Sequence, residues 1–145
     1  MTKDAEEASR VSSQLKLVIR PMYSSPPLHG ARIVTRILND EALRTLWRKE
    51  CAAMATRIRS MREALQRELE KGESQKGLWE HVTRQIGMFC FTGLSARQVE
   101  GLRNDFHIYC TSDGRISMAG LNSSNVSYVA TSVLAVRSKY PDTAP

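Results

Sequence analysis

Residues 39–71 read NDEALRTLWRKECAAMATRIRSMREALQRELEK, without a proline or a glycine. Apolar residues recur every three or four positions, which predicts one long α-helix with a single apolar stripe. The stripe consists of Leu43, Leu46, Trp47, Cys51, Met54, Ile58, Met61, Leu65 and Leu69. Asn39 or Asp40 is expected to cap its start, and Lys71 followed by Gly72 to end it. Such a helix spans on the order of 45–50 Å, which predicts that it bridges two packed bodies.

The composition of the 145-residue chain is that of a globular protein, with 41% hydrophobic and 25% charged residues. The net charge of +6 raises the question of nucleic-acid binding. In the long helix, however, acidic and basic residues alternate at salt-bridge spacing, and no basic run contains exposed aromatic residues. A basic module with salt-sensitive nucleic-acid affinity is therefore a minor alternative. No apolar run is long enough to span a bilayer, and no signal segment follows Met1.

The cysteines and histidines do not form a recognisable metal or disulfide pattern. Each cysteine lies in an apolar segment and none belongs to a CxxC pair: Cys51, Cys90 and Cys110. Reduced, buried thiols are predicted, as is usual inside cells. The histidines lack ligand spacing: His29, His81 and His107. We therefore predict no zinc site and a structural role for the last two histidines.

The rest of the chain divides into shorter elements. Helices are predicted at residues 3–20, 28–38, from 95 onward and from Ser123 or Ser124 to about 140, and strands at 87–92, 106–110 and 115–119. The first helix should end before Pro21, because a residue that precedes proline is disfavoured in helical geometry. A polar turn is expected at 73–77. The second and third strands should form a hairpin around the Ser112–Gly114 turn.

Two arginines lie at positions that the backbone restrains. Arg115 begins a strand directly after the turn, so its guanidinium is aimed from a fixed backbone and offers two parallel hydrogen bonds to a carboxylate. Arg20 precedes Pro21 and a proline-stiffened loop. Spacing alone favours surface arginines with salt-bridge partners at both positions, and carboxylate binding stays open as the functional alternative. The residues contain no phosphate-binding glycine loop, serine elbow or paired-carboxylate motif.

Five segments of the chain resemble the aspartate aminotransferases. They are RPMYSSPPLHGARI at 20–33, MATRIRSM with the following arginine at 54–62, QIGMFCFTGL at 85–94, GRISMAGL at 114–121 and NVSYVA at 125–130. The match runs in register from about residue 3 to residue 138. It is similar to the mitochondrial form more than to the cytosolic one, which implies the mitochondrial matrix, with the cytoplasm as the alternative.

The resemblance implies a pyridoxal-phosphate enzyme that works as a homodimer on dicarboxylic amino acids and oxo acids. Arg115 matches the arginine that binds the α-carboxylate of the substrate. Arg20 matches the arginine that reaches across the dimer to the distal carboxylate, and Phe89 matches an aromatic side chain of the substrate pocket. The implied activity is aspartate transamination, in which L-aspartate and 2-oxoglutarate give oxaloacetate and L-glutamate. Two guanidiniums at a fixed separation select a dicarboxylate, and closure of the site removes water from the ion pairs.

The implied fold is the α/β fold of type I aminotransferases, of which this chain resembles the C-terminal third. Residues 1–53 correspond to the end of the large cofactor-binding domain and the start of the long helix. Residues 54–145 correspond to the small α+β C-terminal domain. The first segment has no predicted strand, so we expect exposed apolar surface there and marginal stability.

The residues that bind the cofactor in this family lie before the segment that the chain resembles. They include the Schiff-base lysine, and none of the lysines here stands in its motif: Lys3, Lys16, Lys49, Lys71, Lys76 and Lys139. Catalytic and cofactor-binding residues are therefore expected to be absent, and the isolated chain to be inactive. Ser25 replaces a usual asparagine, and Arg84 a usual aspartate. The alternative is an inactive truncated or spliced product that acts, if at all, as a dimerisation partner.

Overall fold

The computed structural model describes residues 2–71 and 76–141. Residues 73–75 of the turn predicted at 73–77 lie outside the described residues. The helices are α1 (Ala5–Tyr23), α2 (His29–Asn39), α3 (Glu41–Leu69), α4 (Glu80–Arg84), α5 (Ala96–Phe106) and α6 (Val126–Lys139), and the strands are β1 (Phe89–Phe91) and β2 (Arg115–Ser117). The chain splits into two compact units, Met1–Arg48 and Lys49–Pro145. The assignment of 1–53 and 54–145 to two domains of a larger enzyme stays a prediction.

The end predicted for α1 is wrong, because Pro21 lies inside the helix. Proline lacks one N–H, and in the last turn of a helix this removes only one hydrogen bond. The turn is closed by Ser24, whose N–H donates to the carbonyl of Arg20 at 3.1 Å. Ser24 then ends the helix with φ at +55°. Arg20 therefore lies in the last turn of α1 and not at the start of the following loop.

The predicted start of the long helix is confirmed, with Asp40 as its cap. Asp40 Oδ1 accepts the N–H groups of Ala42 at 3.1 Å and Leu43 at 3.2 Å. Asn39, the other candidate, is the last residue of α2. A carboxylate at this position pairs with free N–H groups and with the positive end of the helix dipole. The 29-residue helix that follows buries only Arg62, Leu65 and Leu69.

Most of the apolar side chains of the first unit are exposed, as predicted, while Ile19 and Ile37 are half-buried. Neither α1 nor α2 buries a residue. The exposed apolar side chains of these helices and of the start of α3 include Val11, Leu15, Leu17, Val18, Met22, Tyr23, Ile33, Val34, Leu38, Leu46 and Trp47. We refer to this set as the apolar face of unit 1. Within the described part of the chain, each helix is too short or too polar to cross a membrane.

This face predicts binding of a hydrophobic dye by the folded chain. Replacing Leu15 and Val18, which are 54% and 61% exposed, by lysine should lower the dye fluorescence without loss of helical circular dichroism. Lysine at Ser13, an exposed polar position, is the control and should change little. Equal dye binding by the double variant and the control would place the dye elsewhere on the molecule.

The second unit has an ordinary hydrophobic core. Its fully buried members come from α3, α5, α6 and the segments between them, and include Leu65, Leu69, Trp79, Val82, Cys90, Leu102, Met118, Ala130 and Val136. β1 and β2 form an antiparallel two-stranded sheet with Phe89 opposite Ser117, Cys90 opposite Ile116 and Phe91 opposite Arg115. Alternate residues of a strand point to opposite faces, so Cys90 enters the core while Phe89 and Phe91 stay exposed.

The predicted strand at Phe106–Cys110 and its hairpin with residues 115–119 are wrong. His107 caps α5 in a left-handed conformation, and its N–H donates to the carbonyl of Arg103 at 3.2 Å. Ile108 and Cys110 are still partly buried against the core, which explains the alternating pattern. β2 pairs with β1 instead, across the 23 residues that separate Phe91 from Arg115.

Two further boundaries differ from the sequence prediction. The last helix begins at Val126, and Asn122 rather than Ser123 or Ser124 closes the preceding turn: its Oδ1 accepts from the N–H groups of Ser124 and Asn125. The short helix α4 was not predicted.

The capping box at Ser95 is confirmed, with Gln98 Oε1 accepting the Ser95 N–H at 3.1 Å.

Candidate functional site

A rigid turn fixes the backbone from which Arg115 projects. Gly114 has φ at +77°, and a Cβ atom there would lie 2.9 Å from the carbonyl oxygen of Leu94. The carbonyl of Gly114 accepts both the N–H of Thr92 at 3.0 Å and its hydroxyl at 2.7 Å. Only glycine suits a position with this φ and this close approach of another backbone segment. The turn is therefore locked against the residues that follow β1.

The carboxylate of Asp113 closes the same turn. Its Oδ1 accepts the N–H of Arg115 at 3.3 Å and the hydroxyl of Thr111. The carbonyl of Arg115 lies 3.1 Å from the same hydroxyl, whose single proton is shared between the two acceptors. The hydrogen bond from Thr111 is the main cause that lowers the pKa of Asp113, and the nearby charge of Arg115 adds to it. Asp113 is thus ionised at neutral pH and binds the backbone of Arg115.

Arg115 and Phe89 lie together on the exposed face of the sheet. The guanidinium carbon of Arg115 is 5.1 Å from the centre of the Phe89 ring, a cation–π contact. Phe89 is 46% exposed and Phe91, opposite Arg115, is 51% exposed. Among the described residues, none offers a carboxylate within 4.0 Å of the Arg115 guanidinium, so a salt-bridge partner is not seen there. The arrangement presents a planar cation, backed by an aromatic ring, to solvent.

The edge of β1 that faces away from β2 is paired by side chains. Gln85 binds Phe91 twice: its Oε1 accepts the Phe91 N–H at 2.8 Å and its Nε2 donates to the Phe91 carbonyl at 3.0 Å. Arg62, only 3% exposed, donates to the carbonyl of Phe89 at 2.6 Å. Sequence reasoning did not assign a role to either side chain. The only available signal was that both stand inside the quoted family segments.

The sequence-predicted residue Arg20 belongs to the first unit and is exposed in the last turn of α1. In the ranges that the structure describes, its guanidinium has no carboxylate within ion-pair distance. The structure therefore brings Phe89 and Arg115 together, and describes Arg20 in a separate unit. Of the two departures from the family pattern, Arg84 pairs with Glu80 on α4. Ser25 is exposed after the end of α1.

The thiols differ in burial. Cys90 is fully buried, and burial raises its pKa above the usual range; Cys51 and Cys110 are only partly buried. We expect a thiol reagent to modify Cys90 at least about 10²-fold more slowly than Cys51, because Cys90 reacts only after local opening. The comparison uses variants that keep one cysteine each, the other two being replaced by serine. Equal rates in urea are the control, and equal rates in the folded state would contradict the described core.

One histidine and two lysines have structural partners. His81 contacts the Trp79 ring, and its Nε2 lies 3.3 Å from the carbonyl of Thr92. Lys71 pairs with Glu68 at 2.6 Å and Lys139 with Asp105 at 2.9 Å. No group of three or more potential metal ligands occurs within residues 2–71 and 76–141.

A groove of about 630 Å³ opens along α3 beside the bend before β1. Its lining is mostly apolar and includes Met54, Ile58, Ile86 and Met88. Arg115 and Phe89 are not among its lining residues. It is therefore distinct from the exposed sheet face that carries the candidate residues.

Known proteins match almost the whole chain. The family "Aminotransferase class I and II" matches residues 4–133. The mitochondrial aspartate aminotransferase of Schizosaccharomyces pombe is 51% identical over 138 residues, which are 95% of this chain and 32% of that protein. The structure of a mitochondrial aspartate aminotransferase from Trypanosoma brucei superposes with a TM-score of 0.83 at 49% identity, over 93% of this chain and 35% of the other.

An aromatic-amino-acid aminotransferase from Burkholderia pseudomallei, covalently bound to pyridoxal phosphate, superposes with a TM-score of 0.85 at 43% identity, over 94% of this chain and 34% of the other. The chain thus spans about a third of the length of the relatives it matches. Its helices and small sheet are a part of the α/β fold of these enzymes. The chain belongs to the class I and II aminotransferases, a family whose cofactor is pyridoxal phosphate.

Proposed function

We propose that this chain supplies the substrate-carboxylate part of an aspartate transaminase, which converts L-aspartate and 2-oxoglutarate to oxaloacetate and L-glutamate. Arg115 binds the α-carboxylate of the substrate, and Phe89 lines the pocket beside it. Arg20 binds the distal carboxylate in the site of the other subunit of a homodimer. The mitochondrial relative supports a location in the mitochondrial matrix, with the cytoplasm as the alternative.

The observation that carries the proposal is the exposed guanidinium of Arg115 over the Phe89 ring, 5.1 Å from its centre. The Phe89 ring keeps water from one face of the guanidinium. Asp113 and Gly114 fix the backbone of Arg115. Two parallel N–H groups match a carboxylate in geometry and charge. A group fixed in this way loses little conformational entropy when the substrate binds.

The resemblance to the aminotransferases gives this chain no lysine in the motif that attaches pyridoxal phosphate. Two of its lysines, Lys71 and Lys139, pair with carboxylates on α3 and α5. In a complete enzyme the cofactor supplies the chemistry that moves the amino group. The part of this chain is to bind and orient the substrate by its carboxylates. We therefore expect the isolated chain neither to bind the cofactor specifically nor to transaminate.

The test uses a chimeric enzyme, in which this chain replaces the matching segment of the Schizosaccharomyces pombe aminotransferase. A coupled assay with aspartate and 2-oxoglutarate should show turnover, and phenylalanine should be a poorer donor than aspartate. The 145-residue chain alone, titrated with pyridoxal phosphate, should give no turnover and no lysine trapped by borohydride. A chimera that folds and binds the cofactor but does not use aspartate would refute the proposal.

The alternative function is an inactive product that acts as a dimerisation partner. The apolar face of unit 1 favours this alternative, because extended exposed apolar surfaces often mark interaction sites. The two functions differ in a mixing experiment with the full-length enzyme. Loss of activity in proportion to the added chain supports the dimerisation partner, whereas unchanged activity of the mixture excludes it.

A further inference from the structure

The sheet that carries Phe89 and Arg115 is small. It consists of three residue pairs between β1 and β2. A two-stranded sheet of this length is marginal by itself in water, because it has few hydrogen bonds and little buried area. The positions of Phe89 and Arg115 must therefore depend on contacts that hold the strands to the rest of the unit.

One of these contacts comes from Arg62, which is buried on α3 and is 3% exposed. Its guanidinium donates to three backbone carbonyls: Val82 at 2.7 Å, Gly87 at 3.0 Å and Phe89 at 2.6 Å. A buried guanidinium needs partners for its N–H groups, and carbonyl oxygens supply them without a second charge. Arg62 thus joins the end of α4, the bend before β1 and β1 itself.

A second contact comes from Arg57 on the same helix. It donates to the carbonyls of Leu121 at 2.7 Å and Ala119 at 3.3 Å, two to four residues beyond the end of β2. Arg57 and Arg62 are five positions apart, about 7.5 Å along the helix axis. The two arginines therefore attach β1 and the segment that follows β2 to one element, α3.

We propose that Arg62, assisted by Arg57, is a positioning residue for the substrate-binding face of the sheet. By fixing the Phe89 carbonyl it fixes the backbone from which the ring projects, and thereby restrains the contact of this ring with the Arg115 guanidinium. A lysine reaches fewer carbonyls from one point charge and cannot reproduce the planar set of contacts. The inference rests on the proposed function, because that function gives the Phe89–Arg115 surface its role.

Fluorine NMR on the 145-residue chain tests the positioning directly. The chain contains three phenylalanines, Phe89, Phe91 and Phe106, and each gives one signal after labelling with 4-fluorophenylalanine. Arg115→Met removes the cation. Its spectrum therefore gives the chemical shift of Phe89 without the cation–π contact. We expect Arg62→Met and Arg62→Lys to move the Phe89 signal toward that position, with the Phe106 signal of α5 unchanged.

Arg59→Met is the matched control, since Arg59 is on the same helix, is exposed and has no hydrogen bond or ion pair within the described ranges. Its Phe89 signal should equal that of the unchanged chain. If Arg62→Met does not fold, Arg62→Lys decides by the same criterion. A Phe89 signal that stays in place in a folded Arg62 variant overturns the inference.

In the chimeric enzyme, Arg62→Lys should raise KM for aspartate by about tenfold and change kcat by less than about twofold, because it loosens substrate binding but touches no reacting atom. A general loss of folded enzyme would lower kcat and leave KM unchanged. An unsubstituted chimera that folds and binds the cofactor but does not use aspartate would refute the proposed function, and the NMR result would still decide the role of Arg62. An active Arg62→Lys chimera with unchanged KM overturns the inference.

Discussion

Replacing Arg115 by lysine in the chimeric enzyme should lower kcat/KM for aspartate by about 10²–10³-fold. Lysine keeps the charge but loses the two parallel hydrogen bonds that we propose for Arg115 and the α-carboxylate, a loss of about 2.7–4 kcal/mol. It also loses the flat contact with the Phe89 ring, which a guanidinium makes at 5.1 Å. The measurement is the coupled assay at subsaturating aspartate.

The control for this prediction is Arg59→Lys, which makes the same chemical change at an exposed position of α3. It should leave kcat/KM within about twofold, as is usual for surface substitutions. An equal effect of the two variants, or an Arg115→Lys variant of normal activity, would show that Arg115 does not bind the substrate. Another cationic side chain would then have to bind the α-carboxylate of the substrate.

Gly114→Ala should destabilise the second unit by about 2–5 kcal/mol. The positive φ costs about 1–2 kcal/mol for a residue with a Cβ atom, and the approach of 2.9 Å to the Leu94 carbonyl adds about 1–3 kcal/mol. The free energy of unfolding is measured in urea by the fluorescence of buried Trp79. A Trp47→Phe background removes the other tryptophan of the chain.

Gly93→Ala separates the two contributions. Gly93 has φ at +76°, but a Cβ atom there would meet nothing within 4 Å. We expect only the conformational cost, about 1–2 kcal/mol. If the two variants unfold at the same urea concentration, the close packing between the turn and the Leu94 backbone does not contribute to stability.

Local rules predicted the long helix and its start. Asp40 supplies a cap, and the apolar residues of α3 follow a helical period. Side-chain oxygen atoms at helix starts act within a few residues, so sequence alone reveals them. Pro21 shows the limit of such rules. The disfavoured geometry before proline is a tendency, and the last turn of α1 overrides it at the cost of one hydrogen bond.

The pairing of the two strands could not be predicted from neighbouring residues in the sequence. The alternation at Ile108 and Cys110 correctly indicated burial on one side, but a strand also needs a neighbour to complete its hydrogen bonds. β2 pairs with β1, which is distant in the sequence. Arg115 and Phe89 were predicted from the resemblance, and their contact depends on this long-range register. Arg62 was overlooked because a buried arginine on an otherwise charged helix looks like any other basic residue.

We expect the amide of Gln85 to affect how copies of this chain associate. It occupies the N–H and the carbonyl of Phe91, the groups that an incoming strand from a neighbouring molecule would use. Unpaired strand edges are the usual starting points of cross-β fibrils, and an apolar strand such as β1 would be prone to this. With the edge closed, self-association should proceed through the apolar face of unit 1. The resulting particles would be helical and amorphous rather than amyloid.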